Sequence, residues 1–297
     1  VWYYGKNAAS QGGRNGCYCA SFDLTNDTWA TAFTTNPPGM TYGHAYDVFA
    51  VNLNTGHPSL LNDCDAPTDA YIRYYNSGWQ SHAGSGRLGD GSFTYGVHTL
   101  TWHPGLFSGS GGFLLFPENR TNGPIYAYNP ATNLQSIVAY AGTSSKLSQA
   151  VYVPSLGSVV FSYGNNGAGM FRITATGNLV QMGSLPSGFT AACNDPGASS
   201  SYDALLDGPT GPVVFQRDRT GNTGRIAYWN GSAWVETSSV KHPFRLGAAI
   251  PNEARWTNSY ASGYAMAWLP QYGVFWCFAI SSTNIPLVAI WKPPPWS

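Results

Sequence analysis

A short segment recurs four times along this 297-residue chain and constrains its fold more than any other feature. Each copy is an apolar run that ends near a proline, then a turn containing glycine, then a second apolar run. Because proline presets the backbone at an early turn position and glycine tolerates the closing one, each copy predicts a β-turn between two strands. The copies are 100–104 with 111–116, 150–161, 204–215 and 265–276.

A second segment recurs between these copies, with a turn usually centred on Asn or Asp between two strands. Its copies are 21–29, 73–79, 126–132, 171–177 and 227–234, with a weaker sixth at 288–292. Their anchor residues lie 45 to 62 residues apart, and they are Phe22, Tyr75, Tyr128, Ile173, Trp229 and Trp291. A recurrence of about 45–60 residues is what a repeated four-stranded unit requires.

The composition supports an all-β chain. Only 9% of the residues are charged, and three Glu and four Lys leave little material for the solvated face of a surface helix. An ordinary soluble domain carries about 25% charged residues. Aromatic residues make up 15%, and there are 35 Gly and 20 Pro, which is typical of a turn-rich sheet protein.

Two runs resemble parts of a kelch repeat. Residues 22–29 (Phe-Asp-Leu-Thr-Asn-Asp-Thr-Trp) resemble its aromatic–acid–turn–Trp part, and 128–132 (Tyr-Asn-Pro-Ala-Thr) resemble its tyrosine–turn part. The double glycines of this chain, at 12–13 and 111–112, lie at other offsets than in kelch repeats. The resemblance implies a kelch-like β-propeller, and the alternative fold is a β-sandwich or prism.

We therefore expect a single propeller domain over 1–297, with six blades of four antiparallel strands and with five or seven blades as alternatives. The first blade begins at its second strand, near residues 1–4. The C-terminal run 287–293 also ends in Trp-x-Pro, so we expect it to supply the missing strand. Strands from both termini would then close the ring and remove open sheet edges.

The cysteines and sequons favour an extracellular or surface-exposed protein, secreted or on a virion. Three Asn-x-Ser/Thr sequons fall at predicted turns and are candidate glycosylation sites, namely Asn26, Asn119 and Asn230. The five cysteines lack zinc-finger spacing, and disulfides and buried thiols both remain open. A start at Val1 rather than Met is compatible with a cleaved signal peptide.

Few residues offer catalytic or metal-binding chemistry, and we expect neither a cofactor nor a metal. The densest acidic group, Asp63, Asp65 and Asp69, fits turn capping better than calcium binding, because it lacks the glycine and distal Glu of an EF-hand loop. The six histidines have no metal-ligand spacing. His98 and His103 flank one predicted inner strand, which would put a histidine near the propeller axis, although a hydrogen-bonded core or loop histidine is the favoured interpretation. The strands before the Pro turns are expected to line the central channel, with Trp102 and His103, Tyr152, Leu206 and Trp268 in equivalent blade positions.

Aromatic side chains are the remaining binding candidates, because Trp and Tyr stack on sugars and contribute strongly at protein interfaces. Most tryptophans lie on predicted strands and suit packing between blades. Trp256 and Tyr260 lie instead in a long irregular stretch, 241–260. The candidate binding residues are His44, Trp102, His103, Trp256 and Tyr260.

Two functions are compatible with these observations. The first is a non-catalytic propeller that binds neighbouring protein subunits or glycans through the loops 36–45, 62–70, 84–92, 187–200 and 241–260. The alternative is a carbohydrate-active enzyme with Asp-based acid/base chemistry in a central funnel, for which Asp47 and Asp203 are candidates. Zero net charge argues against nucleic-acid binding, and no apolar run reaches the ~18 residues of a membrane span.

Overall fold

The structure is a computed structural model that describes residues 2–6, 17–23, 25–26, 28–29, 49–62, 71–75, 78–81, 97–117, 123–141, 147–163, 169–187, 189, 204–217, 224–237, 264–280, 286–293 and 295–296. Within these ranges the only helical elements are a four-residue turn, α1 (Leu106–Gly109), and a 3-10 turn at Pro154–Leu156. None of the described helices is long and apolar enough to cross a membrane. The predicted all-β class is confirmed.

Twenty-two described strands form six antiparallel sheets, each following chain order. The first sheet contains β1 (Trp2–Lys6), β2 (Cys17–Asp23) and β3 (Thr28–Trp29). The second contains β4 (Phe49–Val51), β5 (Pro58–Asn62), β6 (Tyr71–Tyr75) and β7 (Trp79–Ser81). The third contains β8 (Val97–His103), β9 (Gly112–Pro117), β10 (Pro124–Asn129) and β11 (Leu134–Tyr140).

The remaining three sheets follow the same pattern. The fourth contains β12 (Leu147–Val153), β13 (Ser158–Tyr163), β14 (Gly169–Thr174) and β15 (Leu179–Ser184). The fifth contains β16 (Ala204–Leu206), β17 (Val213–Arg217), β18 (Gly224–Trp229) and β19 (Trp234–Thr237). The sixth contains β20 (Tyr264–Leu269), β21 (Val274–Ile280) and β22 (Pro286–Trp291).

The first strands of neighbouring sheets contact one another, as the innermost strands of a propeller do. These contacts join β4 to β8, β8 to β12, β12 to β16 and β16 to β20. They link the second to sixth sheets into five consecutive blades of three or four strands. The β-propeller fold is confirmed. The expected six blades of four strands are wrong, and the alternative of five blades is the one observed, with three or four strands in each blade among the described residues.

The predicted Pro turns occupy equivalent places in the fold. Pro104, Pro154, Pro209 and Pro270 each lie between the first and second strands of their sheet. The cross-strand register aligns Trp102 with Tyr152 and Trp268, because they pair with Phe113, Val159 and Phe275. Leu206 is shifted by one residue from the predicted place. It pairs with Val213 and aligns with Val153 and Leu269.

Four turns of the second recurring segment, at 73–79, 126–132, 171–177 and 227–234, connect the third and fourth strands of their sheets. The turn at 21–29 joins β2 to β3 in the three-stranded first sheet, and the weak copy at 288–292 lies at the end of β22. Side-chain oxygens hold several of these turns. The Asp23 carboxylate accepts the backbone N–H of Thr25 at 2.8 Å. Asn129 Oδ1 accepts the N–H of Ala131 at 2.9 Å, and Asn230 Oδ1 accepts that of Ala233 at 2.9 Å. Such bonds satisfy backbone N–H groups that have no partner strand where the chain reverses direction.

The tyrosine–turn run at 128–132 has a further brace. The buried Tyr128 hydroxyl donates to Asn133 Oδ1 at 2.7 Å, and Asn133 adopts a positive φ of 57°. Burial raises the pKa of Tyr128 to about 12, so this hydroxyl keeps its proton and remains a donor. Tyr128, the tyrosine of the run that resembles a kelch repeat, therefore stabilises the turn between β10 and β11.

The C-terminal strand does not complete the first sheet, which corrects the predicted ring closure. β22 pairs with β21 in unbroken antiparallel register, from Phe275 opposite Trp291 to Ile280 opposite Pro286. It is thus the third strand of the sixth sheet. The sequence motif Trp-x-Pro marked the end of a strand correctly but assigned it to the wrong sheet.

Of the two states left open for the cysteines, disulfides are not observed in the described part of the chain. Cys17 and Cys19 lie opposite Lys6 and Tyr4, and Cys277 lies opposite Met266 and Ala289. Cys64 and Cys193 lie outside the described residues.

Apolar layers fill the space between neighbouring sheets. Phe116 of the third sheet packs on Phe161 of the fourth, with ring centroids 4.9 Å apart. Phe215 of the fifth packs edge-on against Phe275 of the sixth at 5.3 Å. Trp296 extends the latter layer by stacking on Tyr228 at 4.9 Å. Burying both faces of each sheet against its neighbours provides most of the favourable free energy of folding.

Replacing Gly111 with Ala is expected to lower the free energy of unfolding by about 2–5 kcal/mol. Gly111 has a φ of +77°, and an added Cβ would overlap the buried Trp102 ring. A left-handed residue costs about 1–2 kcal/mol and overpacking about 1–3 kcal/mol. Urea unfolding measures the change.

Gly56→Ala is the matched control, because Gly56 has a similar φ of +72° and open space around it. It is expected to cost only the backbone term, about 1–2 kcal/mol. Equal losses in the two variants would contradict the tight packing at Gly111.

Candidate functional site

Trp102 and His103 lie at the end of β8, one of the innermost strands, as the sequence predicted. The Trp102 ring is buried edge-on against Phe113, with centroids 4.9 Å apart. Adjacent strand residues point to opposite faces of a sheet, so His103 faces the fourth sheet instead. Its ring lies 5.1 Å from that of Tyr152. Trp102 thus packs within the third sheet, and His103 contacts the fourth sheet.

The His103 imidazole is 1% exposed and has a defined hydrogen-bond arrangement. Its Nδ1 accepts the N–H of Gly105 at 3.1 Å, which places the ring proton of the neutral form on Nε2. Nε2 is buried and has no hydrogen-bond partner among the described residues. Burial lowers the pKa of His103, because the charged imidazolium would be desolvated. In this state His103 joins two blades, and a binding role for it or for Trp102 stays a prediction.

The other candidate binding residues, His44, Trp256 and Tyr260, lie outside the described residues, as does Asn119. The five loops expected to contact partners are also almost entirely outside them.

Two of the predicted glycosylation sites are exposed in turns. Asn26 lies between β2 and β3, where its Nδ2 donates to Asp23 Oδ2 at 2.7 Å. The Thr25 N–H and the Asn26 side chain lower the pKa of Asp23 by stabilising its charged form. Asn230 lies between β18 and β19, and its Oδ1 also accepts the Ser232 hydroxyl at 3.0 Å. Both positions are accessible, and their glycosylation stays a prediction.

Asp207 is a partly buried carboxyl that the sequence analysis did not single out. It follows β16 at the start of the Pro turn of the fifth sheet. Burial raises its pKa to about 6, and the Gly208 N–H offsets part of this rise. Its position between an apolar strand and a proline turn is the sequence feature that could have indicated burial of this carboxyl. A carboxyl that titrates near pH 6 could serve as a general acid or base.

Chemistry at Asp207 would require a second group, since glycoside hydrolysis uses two carboxyls about 5–10 Å apart. The described residues contain no cluster of three or more His, Cys, Asp or Glu side chains arranged to hold a metal ion.

An apolar set of side chains projects from β11, the outermost strand of the third sheet. Leu134, Ile137 and Tyr140 are 68%, 44% and 60% exposed. An added Cβ at Gly177, in the turn of the next sheet, would collide with the Val138 carbonyl oxygen, so this turn packs directly on β11. We call Leu134, Ile137 and Tyr140 the β11 patch. Ile137 and Tyr140 pair with Tyr126 and Pro124 and share one face of β11, whereas Leu134 pairs with Asn129 and projects from the other face. Exposed apolar groups on an outer strand are typical of interaction surfaces.

A charged cluster anchors Ser187 and Phe189 to the fifth sheet. Arg225 Nε and Nη2 donate to the two oxygens of Glu236 at 2.7 and 2.6 Å, and Nη2 also donates to the Ser187 carbonyl at 2.7 Å. The guanidinium lies 4.4 Å from the centre of the Phe189 ring. The hydrogen bond to Glu236 raises the pKa of Arg225, so the cation persists. This arrangement fixes the first residues of a loop that was expected to contact partners.

Comparison with solved structures supports the propeller class. The chain aligns with a chain of a nidogen/laminin complex at a TM-score of 0.55 and 9% identity, covering 98% of this chain and 93% of that one. A Bacteroides thetaiotaomicron protein of unknown function gives 0.54 and 11%, with 98% and 70% covered. A Niastella koreensis GH74 enzyme gives 0.53 and 14%, with 97% and 45% covered.

Identities this low show a shared fold alone. No family model matches the chain, and no curated protein matches its sequence. The kelch resemblance is therefore shown only at the level of the β-propeller.

The stability of the protein is expected to fall as the pH is lowered through the range in which His103 titrates. Its folded pKa lies below the unfolded value, so the unfolded state binds the proton first. The contribution is complete above the unfolded pKa of about 6.5 and is lost as the pH falls through the folded pKa. His103→Asn keeps an acceptor for Gly105 and should make the decrease shallower. Urea unfolding from pH 8 to pH 5 measures both slopes, and identical slopes would contradict this role.

Asp207→Asn is expected to stabilise the protein at pH 8 by on the order of 1–3 kcal/mol. The folded pKa of about 6 exceeds the unfolded value, so the native state must bury a charge at high pH. The advantage should shrink as the pH falls below 6 and disappear below about 4. Asp23→Asn is the control of opposite sign, because hydrogen bonds lower the pKa of Asp23. A stabilisation that does not change with pH would refute burial of the Asp207 charge.

Proposed function

We propose that this propeller acts by contact rather than by turnover, binding neighbouring protein subunits or glycans at an extracellular or virion surface. The observation that carries the proposal is the β11 patch. Its apolar side chains project from the outer rim, where no other described strand covers them.

The packing beneath the patch makes it suitable for binding. The turn of the fourth sheet lies against the Val138 backbone, and β11 pairs with β10 along its length. A surface held in place before binding loses little conformational entropy when a partner arrives. Tyr140 adds a ring that can stack on a sugar or pack on a protein.

Low charge favours the same function. With 28 charged residues among 297, few ionic groups need to be desolvated when a partner covers the surface.

Asp207 supports a second candidate, a carbohydrate-active enzyme with Asp-based acid/base chemistry. General acid/base chemistry needs a carboxyl whose pKa lies near the working pH, and the Asp207 carboxyl has a pKa of about 6. The sequence candidates for a second carboxyl, Asp47 and Asp203, lie outside the described residues. The GH74 enzyme shares the fold, which does not determine function.

A variant with Leu134→Ser, Ile137→Ser and Tyr140→Ser is expected to lose contact strength without losing its fold, since all three side chains are exposed. Static light scattering measures self-attraction through the second virial coefficient, which should rise. Affinity electrophoresis against soluble xyloglucan, xylan and galactomannan measures glycan binding, which should weaken if glycans are the partners.

The matched control is Leu53→Ser with Tyr272→Ser, which removes exposed apolar area from two turns elsewhere. Equal changes in both variants would contradict a specific patch. Release of reducing ends from any polysaccharide, abolished by Asp207→Asn, would establish the enzyme instead.

A further inference from the structure

The outer edges of the described sheets differ in how they are protected. The outermost strands are β3, β7, β11, β15 and β19 for the first five sheets and β22 for the sixth. An edge strand presents unpaired N–H and C=O groups that can pair with another chain. Natural proteins protect such edges with short strands, bulges or charges.

Five of these edge strands are either short or irregular in register. β3, β7 and β19 have two, three and four residues. The register of β11 shifts opposite Ile125 and Tyr126, and that of β15 shifts opposite Gly169 and Phe171. These features limit pairing with another chain.

β22 has none of these protections, apart from a proline, Pro286, at its first residue. It runs for six residues, Pro-Leu-Val-Ala-Ile-Trp, without a charge and without a shift in register against β21. Ile290 is 65% exposed on it. In the second to fifth sheets a fourth strand pairs with the third, whereas β22 has no such partner among the described strands.

We propose that β22 pairs antiparallel with β22 of a second copy of this chain. The two sixth sheets then form one continuous six-stranded sheet across a two-fold axis. This surface differs from the β11 patch, so the dimer and the proposed binding function can fail separately.

The alternation of antiparallel pairing limits the register. Successive residues direct their N–H and C=O groups to opposite edges, so paired residues must belong to the same set. The two-fold axis therefore passes between two copies of the same residue. The central residues of β22 are Val288 and Ala289, and either can take this position. The first choice pairs Leu287 with Ala289 of the second copy, and the second pairs Val288 with its Ile290. Both registers bring only apolar side chains together.

Charge favours a second copy as the partner. β22 has no ionic group, and antiparallel pairing places the two Lys292 residues at opposite ends of the new sheet. The chain as a whole has zero formal net charge, so two copies do not repel each other. A two-fold contact also closes on itself and stops at the dimer. A strand-edge interface is small, which predicts a dimer with a dissociation constant in the micromolar range or weaker.

Sedimentation velocity of the whole chain, from 1 to 300 µM, tests the dimer. The wild-type protein is expected to show a monomer–dimer equilibrium. Ile290→Lys should raise the dissociation constant at least ten-fold, because it places one cation from each copy at the edge. The variant should fold, since this side chain is exposed, and circular dichroism checks that it does.

Tyr272→Lys is the matched control, because Tyr272 is an exposed aromatic in a turn of the same sheet, away from the β22 edge. It should change the dissociation constant less than two-fold. Hydrogen exchange adds a second readout: residues 286–291 should become more protected with rising concentration, while 234–237 should not. A wild-type monomer at 300 µM, or equal effects of the two variants, would overturn the proposal.

Discussion

Apolar packing between neighbouring sheets is the interaction on which the rest of this structure depends. A single three- or four-stranded sheet has two faces and cannot bury either by itself. The Phe116–Phe161 and Phe215–Phe275 contacts, 4.9 and 5.3 Å between centroids, join one blade to the next. Because each blade is stabilised by its neighbours, the turns can remain short and polar and the inner strands stay aligned.

Local backbone chemistry explains why the turns could be predicted from sequence. Pro154 and Pro270 set a turn wherever an apolar strand precedes them, and Asn129 and Asn230 hold turns with their own side chains. The position of Leu206 was wrong by one residue for a related reason. Cross-strand pairing with Val213 sets its register, and Asp207 and Gly208 lengthen the turn before Pro209.

Burial and strand partners depend on tertiary packing and could not be read in the same way. The sequence placed His103 near the axis, but its lowered pKa arises from the fourth sheet closing over it. Asp207 was overlooked because only packing against neighbouring strands makes its carboxyl unusual. The assignment of β22 was wrong because an apolar strand carries no signal for which neighbour it will pair with.

The distribution of polar groups supports the proposal that contacts form at the outer strands. In a chain with so few charges, amides and hydroxyls provide most polar surface, yet many of them already serve the turns. Asn230 Oδ1 holds two backbone N–H groups and a hydroxyl, and Asp23 holds its own turn similarly. Such oxygens have little capacity left for a partner. The exposed apolar side chains of the outer strands have no internal task, and covering them releases water without breaking a hydrogen bond. Contact through outer strands is therefore favoured over contact through the described turns.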